Sequence, residues 1–487
     1  MNNVIKDLID LKDCDDVVVY GVQVDNVNRI KYIFLKKKLS PIFCPECGSR
    51  MHSKGIYVRS IRHPVLNDGY SIILKVNQRK FKCSNEYCNY YLNEQFFFVE
   101  RNKRVSDLTP VLILNDLKDI TVTCSNVAKH RNVSQTYVHE VVMSYLKFDR
   151  LKLPEALCVD EVYLNICKDA RYCVILRDFL SGDIIDILPN RYEKTFDDYF
   201  LHIPRSERLK VKYIISDMYE PYLKMPTKYF NNSTSIIDSF HLVSWINNKI
   251  NLYINDVKKR YQKIDDEKRK QRNIIENKDF IKRKDSKEVY LLKNHRWVLL
   301  MNDDNIDRTP FVRRINQLGG YYSTRQIEEK FMALDSNFKI FKDLKEKYIK
   351  FNNHYVGKPD EAEAGLDSLI KEYKASSYSM FKDFGEILDK RRKEIIASFT
   401  LLDIIPNQDH IESEYRRMSN GPMEGFNRKP KDMKRLARGF SNFDFIRNRI
   451  LWAERQDAHI LGSPIPIKEI RQKYKTNKKR GKYKKNK

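Results

Sequence analysis

The amino-acid sequence predicts a multidomain α/β protein, with a strand-rich core preceded by a small cysteine-bearing module and a run of short helices. Three observations predict it. Residues 151–250 are nearly neutral, with 13 basic and 14 acidic side chains, and are dense in apolar runs of strand length, whereas the chain around them is basic. Two close cysteine pairs stand at Cys44/Cys47 and Cys83/Cys88. Between the second pair and the neutral stretch, apolar residues from Asp107 to Leu146 recur at helical spacing.

Composition bounds the partners. The 487 residues carry 91 Lys and Arg against 65 Asp and Glu, a formal charge of +26, with 41% hydrophobic content. Such a chain is long enough for several cores and is neither a small disulfide scaffold nor disordered as a whole. No apolar run approaches the roughly 18 residues a membrane helix needs, and Met1 to Asp16 carry acids rather than a basic, apolar leader. The expectation is a cytoplasmic protein with no membrane partner. The positive charge favours a polyanion, with nucleic acid first, and composition alone suits an RNA-binding protein equally.

Cys44-Pro-Glu-Cys47-Gly48 precedes Cys83-Ser-Asn-Glu-Tyr-Cys88. Two thiolate pairs supply a closed tetrahedral zinc site, structural because no position is left for water, and Gly48 lets the knuckle turn tightly. A cytosolic setting argues against disulfides; the bland alternative is four unrelated core cysteines. Between the knuckles, Tyr70 to Val76 alternates as a strand.

The next segment has helix-turn-helix proportions. Val111, Leu112, Leu114 and Leu117 form one apolar face, Val127 and Ala128 mark a short helix, and Asn132-Val133 makes a turn. Ser134 caps a third helix bearing Val138, Val141, Val142 and Tyr145. In that arrangement Ser134, Gln135, Thr136 and His139 occupy the groove-facing start of a recognition helix. A plain helical connector is the competing reading.

Strand patterns follow at 156–166, 171–176 and 183–188, with Ser181-Gly182 as a turn between the last two. A helix around Phe196, Tyr199 and Phe200 leads to a buried strand at 211–217 and another at 235–238. Three hairpin-linked strands, a helix and a strand ending in an acid give the order of an RNase H-like domain, whose first and fourth strands are neighbours. Asp160 and Asp217 then share one site. Carboxylates in one cleft repel unless a cation sits between them, and a pair of magnesium ions both relieves the repulsion and serves phosphoryl transfer. Singly, each Asp reads equally well as a turn former. A third acid comes from further on: Pro422 opens a helix that places Glu424 in its first turn. Residues 427–449 hold eight basic and two acidic side chains, suited to DNA phosphates. Spacing alone does not choose Glu424 over Glu412 or Glu414.

Taken together, these residues resemble the bacterial insertion-sequence transposases of the ISL-three (ISL3) family, which carry a DDE triad. The resemblance rests on the two cysteine knuckles, Val159-Asp160-Glu161, Ile215-Ser-Asp217-Met218, Asp238-Ser-Phe-His241 and Leu291-Leu-Lys-Asn-His-Arg296. It continues through Asn420-Gly-Pro-Met-Glu424-Gly-Phe-Asn427 and Lys434-Arg435 with Gly439-Phe440. It implies a triad of Asp160, Asp217 and Glu424 holding magnesium or manganese, with Arg428, Lys431, Lys434, Arg435 and Arg438 on DNA phosphates. Asp238 and His241 line the site or serve in packing and turns. Since Glu424 lies 207 positions after Asp217, the catalytic core is interrupted by a mostly α-helical insertion. The expected organisation is a zinc-binding region 1–104, a helix-turn-helix 105–150, an RNase H-like core 151–250, a helical insertion 251–410, the second part of the core 411–462, and a basic tail 463–487. Double-stranded DNA, as element ends and target, is the implied partner, with a homodimer or higher oligomer on it. A zinc-containing helix-turn-helix regulator with an inactive RNase H-like domain, or a metal-dependent nuclease, are the competing functions. Pro430 departs from the family pattern and predicts a kink, with Lys434 and Arg435 on a second helical segment. Residues 468–487, with eleven basic and one acidic side chain, are expected to be a flexible, non-specific DNA contact.

Overall fold

Alternation of apolar and polar residues builds the N-terminal sheet. The computed structural model describes residues 2–11, 14–67, 69–275, 285–404 and 414–473. Strands Val17–Asp25, Ile30–Lys37, Met51–Asn67 and Tyr70–Cys83 lie in the order first, second, fourth, third. Ile72, Leu74 and Val76 of the last strand are buried on one face with Ile33, Leu35 and Ile61. The antiparallel register pairs Met51 with Cys83, so the end of one cysteine knuckle meets the start of the other.

Three helices follow, Leu108–Asp116, Cys124–His130 and Gln135–Tyr145. Thr123 accepts from the Asn126 N–H and Ser134 from the Tyr137 N–H, which satisfies otherwise orphaned donors at two helix starts. Asn132 takes φ +53° in the turn between them, a conformation that Asn tolerates better than bulkier residues.

The central sheet has the order Thr234–Ile237, Tyr213–Ser216, Ala156–Tyr163, Tyr172–Asp178, Ile184–Leu188. The first three strands are parallel and the last two antiparallel to their neighbours. Gly182, at φ +78°, makes the turn expected between the last two strands. One face packs on Phe196, Phe200 and Tyr222. The other packs on the Gly421–Leu436 and Phe443–Glu454 helices and on the three N-terminal helices, all in one continuous core. Between them, the chain leaves the sheet at Asp238 into a 37-residue helix, Ser239–Ile275. Further helices run through to Arg392–Ala397, interrupted by a hairpin of Val312–Ile315 and Gly320–Ser323. These helices gather a core of their own, with Ile246, Ile250 and Ile254 against Phe331, Phe338, Phe341, Phe381 and Phe384.

Two expectations are corrected. The Gly421–Leu436 helix runs unbroken through Pro430, so Lys434 and Arg435 follow on the same helix and not on a second segment. Pro430 is buried on the face that also buries Phe426 and Met433, and this packing offsets the cost of about 3 kcal/mol for a proline inside a helix. The basic C-terminal region does not begin as a free tail: Ile467–Lys473 is a helix, with Arg471 paired to Glu140 at 2.7 Å and Lys473 to Asp444 at 2.7 Å. Residues 474–487 lie outside the described residues.

Arg449 fastens the three N-terminal helices to the core. It is 2% exposed and donates to the carbonyls of Leu117, Asp119 (2.8 Å) and Val122 (3.0 Å). Burial pushes its guanidinium down to about 10, which leaves it charged at neutral pH. Trp452, one turn further on, donates to the Leu114 carbonyl at 2.7 Å. Arg449→Ala removes the donor to three carbonyls at once, the Leu117 one buried, and is expected to cost about 3 kcal/mol of stability, read as a lower urea midpoint; an unchanged midpoint would refute this role.

Candidate functional site

Strand register brings three aspartates to one level. Val159 pairs with Ser216, and Ser216 with Ile237, so Asp160, midway along its strand, lies level with Asp217 and Asp238, which directly follow theirs, on three adjacent parallel strands spaced about 4.8 Å apart. Alternate residues of a strand share a face. Cys158, Ile215 and Ile236, two positions earlier, are packed with Met423 and Phe426 of the Gly421–Leu436 helix. The aspartates therefore project toward that helix, with Asp217 and Asp238 at the carboxyl ends of parallel strands, where open α/β sheets bind ligands.

The three are not equivalent. Asp160 is half-buried and accepts from the Glu161 N–H at 2.7 Å and from Asn427 Nδ2 at 2.8 Å. Burial first, then the neighbouring Asp217 charge, push its carboxyl up to about 6, against the Glu161 N–H and His241. Asp217 accepts from the Tyr219 N–H at 3.0 Å. Asp238 is 3% exposed, and both its oxygens are used, by the Asn420 N–H at 3.0 Å and the Phe240 N–H at 3.1 Å. It ties a strand end to the start of the Glu424 helix. His241 is half-buried at the start of the Ser239–Ile275 helix, within electrostatic reach of Asp160.

Glu424 is exposed, in the first turn of its helix. Asn427 lies three residues on, a spacing that places both on adjoining parts of one helix face, and Asn427 touches Asp160. Among the described residues, the group of three or more possible ligands whose atoms all lie within 4.8 Å is the cysteine set, not the acids. Glu412 lies outside the described residues. Along the same helix Arg428, Lys431 and Arg435 are exposed, as is Arg438 just past its end, while Lys434 lies over the Tyr163 ring at 5.3 Å. Arg435 is paired with Asp432 at 2.8 Å.

Two positioning groups escape sequence reasoning. Asn427 belongs to a recognisable motif, yet only the i, i+3 spacing from Glu424 hints at its role. Arg177 looks like an ordinary strand residue, yet it donates to the Gly182 carbonyl at 2.6 Å and the Pro422 carbonyl at 2.8 Å, fixing the start of the Glu424 helix. Glu161, next to Asp160, is held by Arg191 at 2.6 Å and the Tyr222 hydroxyl at 3.2 Å.

The cysteines form a second centre. Cys44 and Cys88 sulfurs are 3.7 Å apart and Cys47 and Cys83 sulfurs 3.4 Å. A tetrahedron with Zn–S bonds near 2.3 Å has edges of about 3.8 Å, so the four sulfurs suit a closed structural zinc site. Gly48, at φ +72°, turns the first knuckle, and its N–H donates to the Cys44 carbonyl at 2.9 Å.

The predicted recognition-helix residues divide. Gln135 and Thr136 are exposed, and Ser134 is engaged in its cap. His139 instead faces the protein, its ring stacked on Phe445 with centroids 4.0 Å apart, and burial lowers its pKa.

Residues 157–450 match a transposase family, the ISL3 type of DDE transposase, and residues 40–88 match the zinc-finger of the transposases IS204, IS1001, IS1096 and IS1165. The chain is also similar to the transposase for insertion sequence element IS1001 of Bordetella parapertussis. The two are 24% identical over 313 residues, covering 60% of this chain and 68% of that relative.

Two measurements test the centres. Cys47→Ser is expected to lower bound zinc, measured by mass spectrometry on purified protein, from about one ion per chain toward none; a folded parent protein without zinc would end that assignment. For Asp160, an acid whose folded pKa is raised to about 6 penalises the folded state above that pH, and the penalty fades as pH falls toward the ordinary carboxylate range. Metal-free Asp160→Asn is therefore expected to exceed the parent in stability by on the order of 2 kcal/mol at about pH 8, with little difference at about pH 4. Equal thermal melting at the higher pH would contradict the repulsive cluster.

Proposed function

The chain belongs to the ISL3-type DDE transposases, polynucleotidyl transferases of insertion sequences, and from that premise we propose that it binds the terminal inverted repeats of its element and cuts and joins DNA there. Asp160, Asp217 and Glu424 form the catalytic triad. The observation that carries this reading is the register that sets Asp160 beside Asp217, with Asn427 tying Asp160 to the helix of Glu424.

The acids fit a hard divalent cation. They offer only oxygen donors, and Asp160 is forced up to about 6 by burial and by Asp217, a clash that a cation relieves. Asp160, Asp217 and Glu424 would hold magnesium or manganese, and a metal held there would supply activation of an attacking oxygen and charge stabilisation of a leaving one. The chain's own groups do the positioning. Asn427 orients Asp160, Arg177 and Asp238 fix the start of the Glu424 helix, and Arg428, Lys431, Lys434, Arg435 and Arg438 hold phosphates beside the acids. The reaction is hydrolysis at the element ends, freeing 3′ hydroxyls, followed by their in-line attack on target DNA, without a covalent enzyme intermediate.

The remaining parts take roles in the same reading. The strand order supports an RNase H-like core, 151–250 and 411–462, interrupted by the helices of 251–410 as an insertion. The three capped helices within 105–150 act as a helix-turn-helix, with Ser134, Gln135 and Thr136 toward the major groove. His139 steadies that helix on Phe445. The zinc module, within 1–104, and the basic C-terminal region, 463–487, add duplex contacts, and the protein works on DNA as a homodimer or higher oligomer.

Incubation of the full chain with element-end DNA and magnesium tests the assignment. The parent protein is expected to give nicked and joined products, and Asp160→Asn, Asp217→Asn and Glu424→Gln to lower both by at least about a hundredfold. Undiminished cleavage by these variants would remove the triad. Cleavage without joined products would favour a nuclease.

A further inference from the structure

The hairpin of Val312–Ile315 and Gly320–Ser323 has one face committed to the protein and one left open. Ile315, Leu318 and Tyr322 pack against the helical core, and the Tyr322 hydroxyl donates to the Leu318 carbonyl at 3.2 Å. Its root is fixed by ion pairs: Arg308 Nε lies 3.0 Å from Glu328 and Lys342 lies 2.8 Å from Asp303, with Arg308 also on Asp303 and Lys342 on Glu328. Beyond that root, Thr309 to Arg314 are exposed without interruption. Phe311 is 68% exposed, Val312 48% and Tyr321 64%.

The register decides what the open face presents. Arg314 stands directly opposite Tyr321, and Val312 opposite Ser323, so these side chains share the face turned away from Ile315 and Tyr322. Arg313 stands opposite Tyr322 and so belongs to the other face, where it stays exposed with its guanidinium 5.9 Å from the Phe311 ring centre. Residues 309–325 contain three arginines and no acid. Among the described residues neither Arg313 nor Arg314 is engaged in an ion pair.

We propose that this hairpin is a DNA-docking ribbon of the helical insertion, laid against the duplex that the transposase carries to its active site. From the open face Arg314 neutralises phosphates and Tyr321 supplies apolar contact to sugars and base edges, and Arg313 and Phe311, on the other face but exposed, add a second charge and ring beside them. A two-stranded ribbon matches the width of a major groove, about 12 Å. The fixed root holds the ribbon in one orientation, so little freedom is lost on binding. Charge argues for DNA: the open face bears Arg314, the exposed Arg313 lies beside it, and residues 309–325 hold no acid, so the ribbon complements a polyanion and repels a second copy of itself.

The proposal rests on the transposase reading, and its test separates the two. Binding of the full chain to a fluorescein-labelled duplex from the end of its own element is measured across salt concentrations, for the parent, Arg313→Ala/Arg314→Ala and Tyr321→Ala. The arginine double variant is expected to bind about tenfold more weakly, with a salt slope smaller by one to two units. Tyr321→Ala is expected to lose about fivefold in affinity with an unchanged slope. Melting temperatures at the parental value show that the variants are folded. If the parent binds and the arginine variant matches it in affinity and slope, the ribbon proposal is wrong. If the parent binds no DNA, the transposase reading itself fails. A change in oligomeric state of the arginine variant without DNA, by sedimentation, would make the face a contact between copies and would also overturn the proposal.

Discussion

A single hydrogen bond, from Asn427 to Asp160 across 267 positions of sequence, locates the site on which the rest of the architecture converges. It exists only because the Gly421–Leu436 helix lies on one face of the central sheet, held by Met423, Phe426 and Met433 in the shared core. Two further anchors act at the helix start, Arg177 on the Pro422 carbonyl and Asp238 on the Asn420 N–H. These contacts fix the backbone that carries Glu424 while its own side chain stays exposed.

The same anchors explain how a long excursion is tolerated. The chain leaves the sheet after Asp238 and returns at Asn420, and those two residues are hydrogen-bonded to each other. The helices between them thus begin and end at one point, with a core of their own. Closing a loop costs entropy that grows only slowly with its length. A large helical unit can therefore sit between two halves of a site without moving either, and its outer hairpin is free to serve a different contact.

Rigidity extends to the N-terminal helices. Arg449 and Trp452 of the Phe443–Glu454 helix bond to carbonyls at 114, 117, 119 and 122, and the Ile467–Lys473 helix is paired to Glu140 of the third helix. The helices that sequence reasoning assigns to DNA reading are thereby fixed relative to the acids. In sequence, the basic surplus lies on either side of the near-neutral segment that carries Asp160 and Asp217.

Sequence by itself determined the local pieces. Apolar runs of strand length mark the Asp160 and Asp217 strands, polar caps mark Thr123 and Ser134, and thiol spacing marks the cysteine site, because each signal is carried by residues a few positions apart. The resemblance to a transposase family added Glu424, which spacing alone left level with Glu412 and Glu414. Only the tertiary structure decided what depends on distant partners. It turned His139 onto Phe445, made Asp238 an anchor through Asn420, gave Arg177 and Asn427 their positioning roles, and carried the helix unbroken through Pro430 by burying its ring. Each of these is an interaction between segments separated by tens to hundreds of residues, where neither partner alone carries a local signature in the sequence.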